Sequence, residues 1–226
     1  MKISIAILAL LGAVEAKRAS TTRYWDCSGG ACGCGFGSSA LNVHCHSNAM
    51  FKAPEGNPYG AVFYGSAAVS QQLGGDWWLG RGCGQCFKVT GTANVAGHTH
   101  TSTVVLKGTN FCPPSNSVCN GQAHFDIAAP GFDYAPASQS NICDRAENEK
   151  ALKSPQTCMY WMIRSQNPDE NCNCDDFNDE TLKNGCKNFK SLYWNNPEVD
   201  YEEIDCPAEL KTTPPCWHDN GDDWPQ

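Results

Sequence analysis

The sequence predicts an all-β fold, mainly β with short helices, closed as a barrel or stacked as a sandwich. Three observations predict it. Several short segments alternate apolar and polar residues, as half-buried strands do. Glycine (21) and proline (13) interrupt the whole chain and keep its regular elements short. The 15 cysteines among 226 residues read as a disulfide framework bracing long loops.

Along the chain, residues 1–16 are expected to be a secretory signal. Lys2 supplies the positive start, Ile3 to Val14 the apolar run, and Val14-Glu15-Ala16 a small-residue cleavage site; the run is too short to span a bilayer. Lys17-Arg18 offers a second trimming point, placing the mature N-terminus between Lys17 and Ala19. Thr22 to Cys27, Cys86 to Thr90 and His124 to Ala128 alternate as strands do, Thr101 to Lys107 is β-branched and apolar, and Met159 to Ile163 is a continuous apolar run. Ser66 to Leu73 reads as a short helix stopped by Gly74-Gly75. Asp169 to Glu180 reads as a solvated acidic loop tethered by Cys172 and Cys174, since no calcium-loop pattern is present. Without a repeat or a Pro/Ser/Thr-rich linker, residues 17–226 are expected to form one domain.

The net charge is −8, and loss of the signal leaves it unchanged because Lys2 and Glu15 cancel. An acidic chain without a Lys/Arg cluster argues against nucleic acid and anionic membrane as partners and is compatible with a neutral polymer. No Asn-x-Ser/Thr sequon occurs, so N-glycosylation is not expected. Cys32-x-Cys34, Cys83-x-x-Cys86 and Cys172-x-Cys174 resemble zinc-ligand pairs, but a secretory signal favours disulfides over thiolate-bound zinc; no metal and no cofactor are expected. The odd count leaves one cysteine unpaired or intermolecular.

Two carboxylates stand out. In a strand, side chains two apart share a face, so Thr22, Tyr24 and Asp26 line one side of the first segment. The same rule puts His124 and Asp126 on one face with Phe125 turned into the packing. Asp126 precedes the apolar run Ile127-Ala128-Ala129-Pro130-Gly131, where desolvation favours the protonated acid. Asp126 is therefore the better general acid and Asp26 the better base, a pairing suited to glycosidic bond hydrolysis. Aromatic faces pack against pyranose rings; Trp77 and Trp78, in Gly75-Asp76-Trp77-Trp78, are preferred over Tyr59, Tyr64 and Tyr134 as the sugar platform.

The motifs together resemble glycoside hydrolase family 45. Thr21-Thr22-Arg23-Tyr24-Trp25-Asp26, followed after five residues by Cys32, is similar to the N-terminal signature of these endoglucanases. Gly82-Cys83-Gly84-Gln85-Cys86-Phe87-Lys88-Val89-Thr90 resembles the cysteine-bearing strand they share with expansins and barwin-like proteins. His124-Phe125-Asp126 resembles their acid motif, and Cys206-Pro207-Ala208-Glu209-Leu210 with Cys216 and Asp219-Asn220-Gly221-Asp222 their C-terminal end. The resemblance implies a six-stranded double-psi β-barrel with long disulfide-braced loops. It implies a secreted, monomeric enzyme that cuts internal β-1,4-glucosidic bonds of cellulose or related β-glucans with inversion. It gives Asp26 the base role and Asp126 the acid role, adds Thr22, Tyr24 and His124 as groove residues, and suggests disulfides Cys27–Cys143, Cys32–Cys83 and Cys86–Cys206. The chain departs from the family at Cys27-Ser28 and Cys83-Gly84, where relatives have adjacent cysteines. Ser115 to Ala123 also lacks the third carboxylate of some relatives, leaving Asp133 as a candidate. A non-hydrolytic expansin-like or barwin-like glucan-binding protein is the alternative; expansins share the cysteine strand and His-Phe-Asp but lack the Asp that Asp26 supplies.

Overall fold

Seven strands make one sheet in the computed structural model, which describes residues 17–25, 30–34, 48–95, 97–132, 158 and 172–214. The strands are β1 (Lys17–Tyr24), β2 (Phe51–Lys52), β3 (Phe63–Val69), β4 (Cys86–Thr92), β5 (Thr101–Phe111), β6 (His124–Ala128) and β7 (Val199–Ile204). Their order is β2-β3-β5-β4-β7-β1-β6, and β6 pairs back onto β3. Six strands therefore close into a double-psi barrel, with β2 appended to its β3 edge. Two pairs, β1–β6 and β3–β5, are parallel, and the other barrel contacts are antiparallel. Closure leaves the barrel no open edge.

The barrel interior is apolar because inward positions alternate with outward ones. Phe125 lies between Phe87 (ring centroids 5.1 Å apart, edge-on) and Tyr201 (5.5 Å). Ala67, Val69, Val89, Val104, Leu106 and Ile127 fill the rest. Ser66 to Leu73, expected as a helix, is half strand: β3 extends to Val69, and only Gln71–Leu73 makes a 3-10 turn, ended by Gly74 in the left-handed region. The physical reason is burial on both faces. A strand buried all round loses the alternation that distinguishes it from a buried helix. Met159 to Ile163 and residues 1–16 lie outside the described residues.

Two helices pack outside the barrel, α1 (Glu180–Leu192) and α2 (Ala208–Thr212). Asp179 caps α1 by accepting the Leu182 N–H at 2.8 Å, and Leu182, Cys186, Phe189 and Leu192 form its buried stripe. Phe189 meets Phe132 edge-on at 4.8 Å. Leu210 of α2 packs with Tyr64, Cys86 and Val105 in a second, smaller core. Buried Lys107 donates to the carbonyls of Lys211 (3.4 Å) and Pro214 (3.0 Å). No helix among the described residues is long and apolar enough to cross a membrane.

Disulfides Cys32–Cys83 and Cys86–Cys206 are present as expected. Cys112–Cys119, Cys158–Cys172 and Cys174–Cys186 are further bridges; the last ties the acidic segment to α1, and Cys158–Cys172 ties that segment to Cys158. The expected Cys27–Cys143 bridge lies outside the described residues. Cys32–Cys83 also anchors the loop between Gly74 and Gln85, which the backbone holds closely to the barrel. A Cβ on Gly108 would sit 2.1 Å from the Gly82 carbonyl oxygen. Only glycine allows that approach, and with it the Gly84 N–H to Gly108 carbonyl bond at 2.9 Å.

Candidate active site

Register explains how the first functional cluster forms. β1 runs parallel to β6 with Ser20 opposite His124 and Thr22 opposite Asp126, so four polar side chains two residues apart meet on one face. The Thr22 hydroxyl donates to Asp126 Oδ1 at 2.6 Å and lies 2.7 Å from His124 Nε2; Ser20 Oγ lies 2.8 Å from His124 Nδ1. Because the Thr22 hydrogen is committed to the carboxylate, its oxygen accepts from Nε2–H. His124 Nδ1 then accepts from Ser20, which defines a neutral imidazole with its proton on Nε2. The chain Ser20–His124–Thr22 holds the Asp126 carboxyl in one orientation.

His124 has no exposed surface. The Cys112–Cys119 disulfide lies beside it, with both sulfurs and a ring nitrogen within 4.8 Å of one another. Burial pushes its pKa down from 6.5 to about 4. A sugar cannot touch this ring, so the expected groove role of His124 becomes an indirect one, through Thr22. Tyr24, half-buried, packs against Ala68 and the Cys112–Cys119 bridge, making an apolar floor beside Asp126.

The His124 shift has a consequence for stability. In the unfolded chain the imidazole binds its proton around pH 6.5, whereas in the folded protein it does so only near 4. Between those values the unfolded state holds more protons, so the contribution is complete above about pH 6.5 and is lost as pH falls towards 4. Thermal melts from pH 7 to 4 should show a declining midpoint, and His124→Asn should flatten that decline. Parallel profiles for the two proteins would disprove the assignment.

A second cluster lies on the same outer face. Across the strands, Thr22, Asp126, Ala68 and Asn110 occupy one row, since Ala68 is opposite Asp126 on one side and Asn110 on the other. The β3–β5 register shifts at Ala67/Ala68, turning Asn110 onto this face. Beyond Asn110 is a cavity of about 300 Å³ lined by Gly30, Ala31, Trp77, Trp78, Asn110 and Phe111. Trp77 is 69% exposed and Trp78 50%; Trp77 meets Phe111 edge-on at 5.2 Å. Tyr59 donates its hydroxyl to the Asp205 carbonyl and Tyr64 is buried, so both are structural.

Asp26 lies outside the described residues, as do Asp133 and Tyr134. Sequence reasoning missed Ser20, although it shares a strand face with Thr22 by simple alternation. It also missed Asn110, for which no local signal exists. Two groups of potential metal-binding atoms occur among the described residues, Cys158/Cys172/Cys174/Cys186 and Cys112/Cys119/His124. Their cysteines are paired in disulfides and so lack the thiolates that bind zinc; neither donor set fits a metal.

Residues 19–135 match the family model described as EXPB1-like domain 1, a stretch that holds both clusters. The chain belongs to that family. Sequence similarity extends to endoglucanases and expansins alike. The chain is 32% identical over 148 residues to Endoglucanase-5 of Hypocrea jecorina, covering 57% of each chain. It is 40% identical over 87 residues to Expansin-A7 of Arabidopsis thaliana, covering 33% of this chain and 32% of that one. A putative endoglucanase type K of Fusarium oxysporum is 27% identical over 255 residues, covering 98% of this chain and 60% of the relative. The matches thus span less than two thirds of the length of each relative. Among solved structures, a cellulase from the Antarctic springtail Cryptopygus antarcticus superposes with a TM-score of 0.55 at 19% identity, covering 90% of this chain and 98% of that one. The double-psi barrel expected from the motifs is the fold the two share.

Proposed function

We propose that this protein is a secreted, monomeric endo-β-1,4-glucanase of the family 45 type that hydrolyses internal bonds of cellulose or related β-glucans with inversion. The observation that carries the reading is the Asp126 carboxyl, half-buried on the outer face of β6 and held by the Thr22 hydroxyl at 2.6 Å. Asp126 donates its proton to the glycosidic oxygen as the bond from that oxygen to the anomeric carbon breaks. Asp26 takes a proton from the water that attacks the anomeric carbon from the opposite face. The new bond is to the water oxygen, and the leaving sugar keeps the proton from Asp126. Thr22 and Tyr24 border the reacting sugar, while His124 acts behind Thr22. No cofactor or metal takes part in this scheme. The endoglucanase relatives support it, and the motif that ends in Asp26 is the part of the resemblance that sets it apart from an expansin-like reading. The disulfides support an oxidising, extracellular setting reached by removal of residues 1–16, with residues 17–226 acting as one catalytic domain.

Reducing ends should appear when the protein is incubated with soluble carboxymethyl cellulose. Proton NMR of a cello-oligosaccharide digest, taken before mutarotation, should show the new end as the α-anomer. An initial β-anomer would mean a covalent glycosyl-enzyme and would remove the base role from Asp26. Binding of glucan without any reducing-sugar release would favour the expansin-like alternative.

A further inference from the structure

The connection from β4 to β5 carries a pair of imidazoles that the acid–base scheme does not use. His98 lies flat on the Tyr193 ring, with centroids 3.4 Å apart and planes 9° from parallel, and His100 meets the same ring edge-on at 6.0 Å. Both therefore stand on one side of the connection, their own centroids 6.2 Å apart and their planes at 84°. Among the described residues neither imidazole makes a hydrogen bond or ion pair. His98 is half-buried and His100 exposed, and a Cβ on neighbouring Gly97 would have no described atom within 4 Å. The rings face open space. Their support is fixed from two sides. Tyr193 ends α1 in the left-handed region (φ 52°) and donates its N–H to the Lys190 carbonyl at 3.1 Å. Its own carbonyl accepts the Asn94 N–H at 3.0 Å, and Asn94 and Asn195 exchange side chain–backbone bonds at 2.9 and 2.7 Å. On the other flank the Ala93 N–H donates to the His100 carbonyl and the His98 N–H to the Val95 carbonyl, both at 2.9 Å. Connection and helix end are thus locked together before any ligand arrives, which lowers the cost of ordering them on binding.

The donor chemistry and the spacing identify the ligand. Two neutral imidazoles attract no anion, but they are the preferred donors of borderline divalent metals such as copper, nickel and zinc. An ion bonding one nitrogen of each ring at about 2.0 Å can hold the ring centres up to about 6.3 Å apart. The observed separation lies just inside that limit, so small side-chain rotations bring both rings onto one ion. Packing alone does not account for the pair, since the stack on Tyr193 needs only His98. We infer that His98 and His100 form a surface site for a divalent transition-metal ion, filled most tightly by Cu(II), with water in its open positions. The preference for Cu(II) follows the general order of divalent-metal affinities at nitrogen sites. This pair differs from the two sulfur-containing groups in that no disulfide ties up its donors. The site lies at the start of β5, about 30 Å along the strand from Asn110 and the row that holds Asp126. Its ion therefore has no part in the hydrolysis, and the inference stands or falls apart from the glucanase reading.

The test is calorimetric titration of the whole protein with Cu(II). It is run in a His44→Ala/His46→Ala background, which removes the chain's other His-x-His sequence, His44-Cys45-His46. That background should still bind Cu(II) saturably, and adding His98→Ala or His100→Ala should weaken one binding event at least about tenfold. Loss of a mere supporting partner of a metal ligand already costs about 10–100-fold in affinity, so loss of a ligand should cost no less. Electron paramagnetic resonance of the copper complex should show coupling to both imidazole nitrogens, and to one fewer nitrogen after either substitution. Both side chains lie outside the packed cores, so an unchanged melting temperature without metal should show that the variants fold. No saturable binding in the His44→Ala/His46→Ala background, or binding there that survives both His98→Ala and His100→Ala, would overturn the site.

Discussion

Asp126→Asn is expected to lower turnover on a soluble β-glucan by at least about a hundredfold, the lower end of what a positioned general acid contributes. The amide has nearly the shape of the acid and can still accept from Thr22, so the Ser20–His124–Thr22 chain and the fold should survive. The loss then reports proton donation rather than collapse. Asp26→Asn should give a loss of the same order, because an inverting reaction stops when either proton transfer stops. Aryl glycosides with acidic leaving groups need less protonation, so they should recover part of the Asp126→Asn loss and little of the Asp26→Asn loss. Near-native activity in either amide variant, with an unchanged melting temperature, would sink the corresponding role.

Removing the Cys86–Cys206 bridge should have the largest effect on stability. It joins β4 to the segment after β7 and closes a separation of 120 residues, so in the chain-entropy model it contributes about 5 kcal/mol. Cys112–Cys119 spans only 7 residues and on the same basis contributes about half as much. For a chain of this size, the double variant Cys86→Ala/Cys206→Ala should melt about 10 °C or more below the parent protein. The Cys112→Ala/Cys119→Ala variant should fall less in melting temperature, although its loss uncovers His124. A smaller drop for the long bridge than for the short one would show that native-state packing, not chain restriction, governs this framework.

Legibility differed between elements for physical reasons. β4, β5 and β6 were readable because each alternates or is rich in β-branched residues, and Asp126 was readable because its neighbours form a specific motif. β3 was not, since burial on both of its faces removed the period that separates strand from helix. β7 carries a weak signal, Val199 and Tyr201 inward with Asp200 and Glu202 outward, but acidic residues mask it. α1 was missed although Asp179 and the stripe Leu182, Cys186, Phe189, Leu192 mark a capped amphipathic helix. The burial of His124 depends on a disulfide between residues outside its own strand, and the place of Asn110 depends on a register shift. Neither is a local property of the sequence.

The connectivity around β1 carries a lesson about how the protein comes into being. Of the seven strands this one is made first, yet its partners among the described residues are β6 and β7, which are made long afterwards. Until they emerge, Ser20 and Thr22 have neither His124 nor Asp126 to bond, and such distant pairing is slow to form. β3, β4 and β5 can assemble earlier as a three-stranded sheet, exposing apolar surface that the remaining strands later cover. The setting of the Asp126 carboxyl is therefore a late product of maturation. A chain arrested before β1 docks would lack the Thr22 hydrogen bond that orients the Asp126 carboxyl, so the proposed acid acquires its setting only when the last strands are in place.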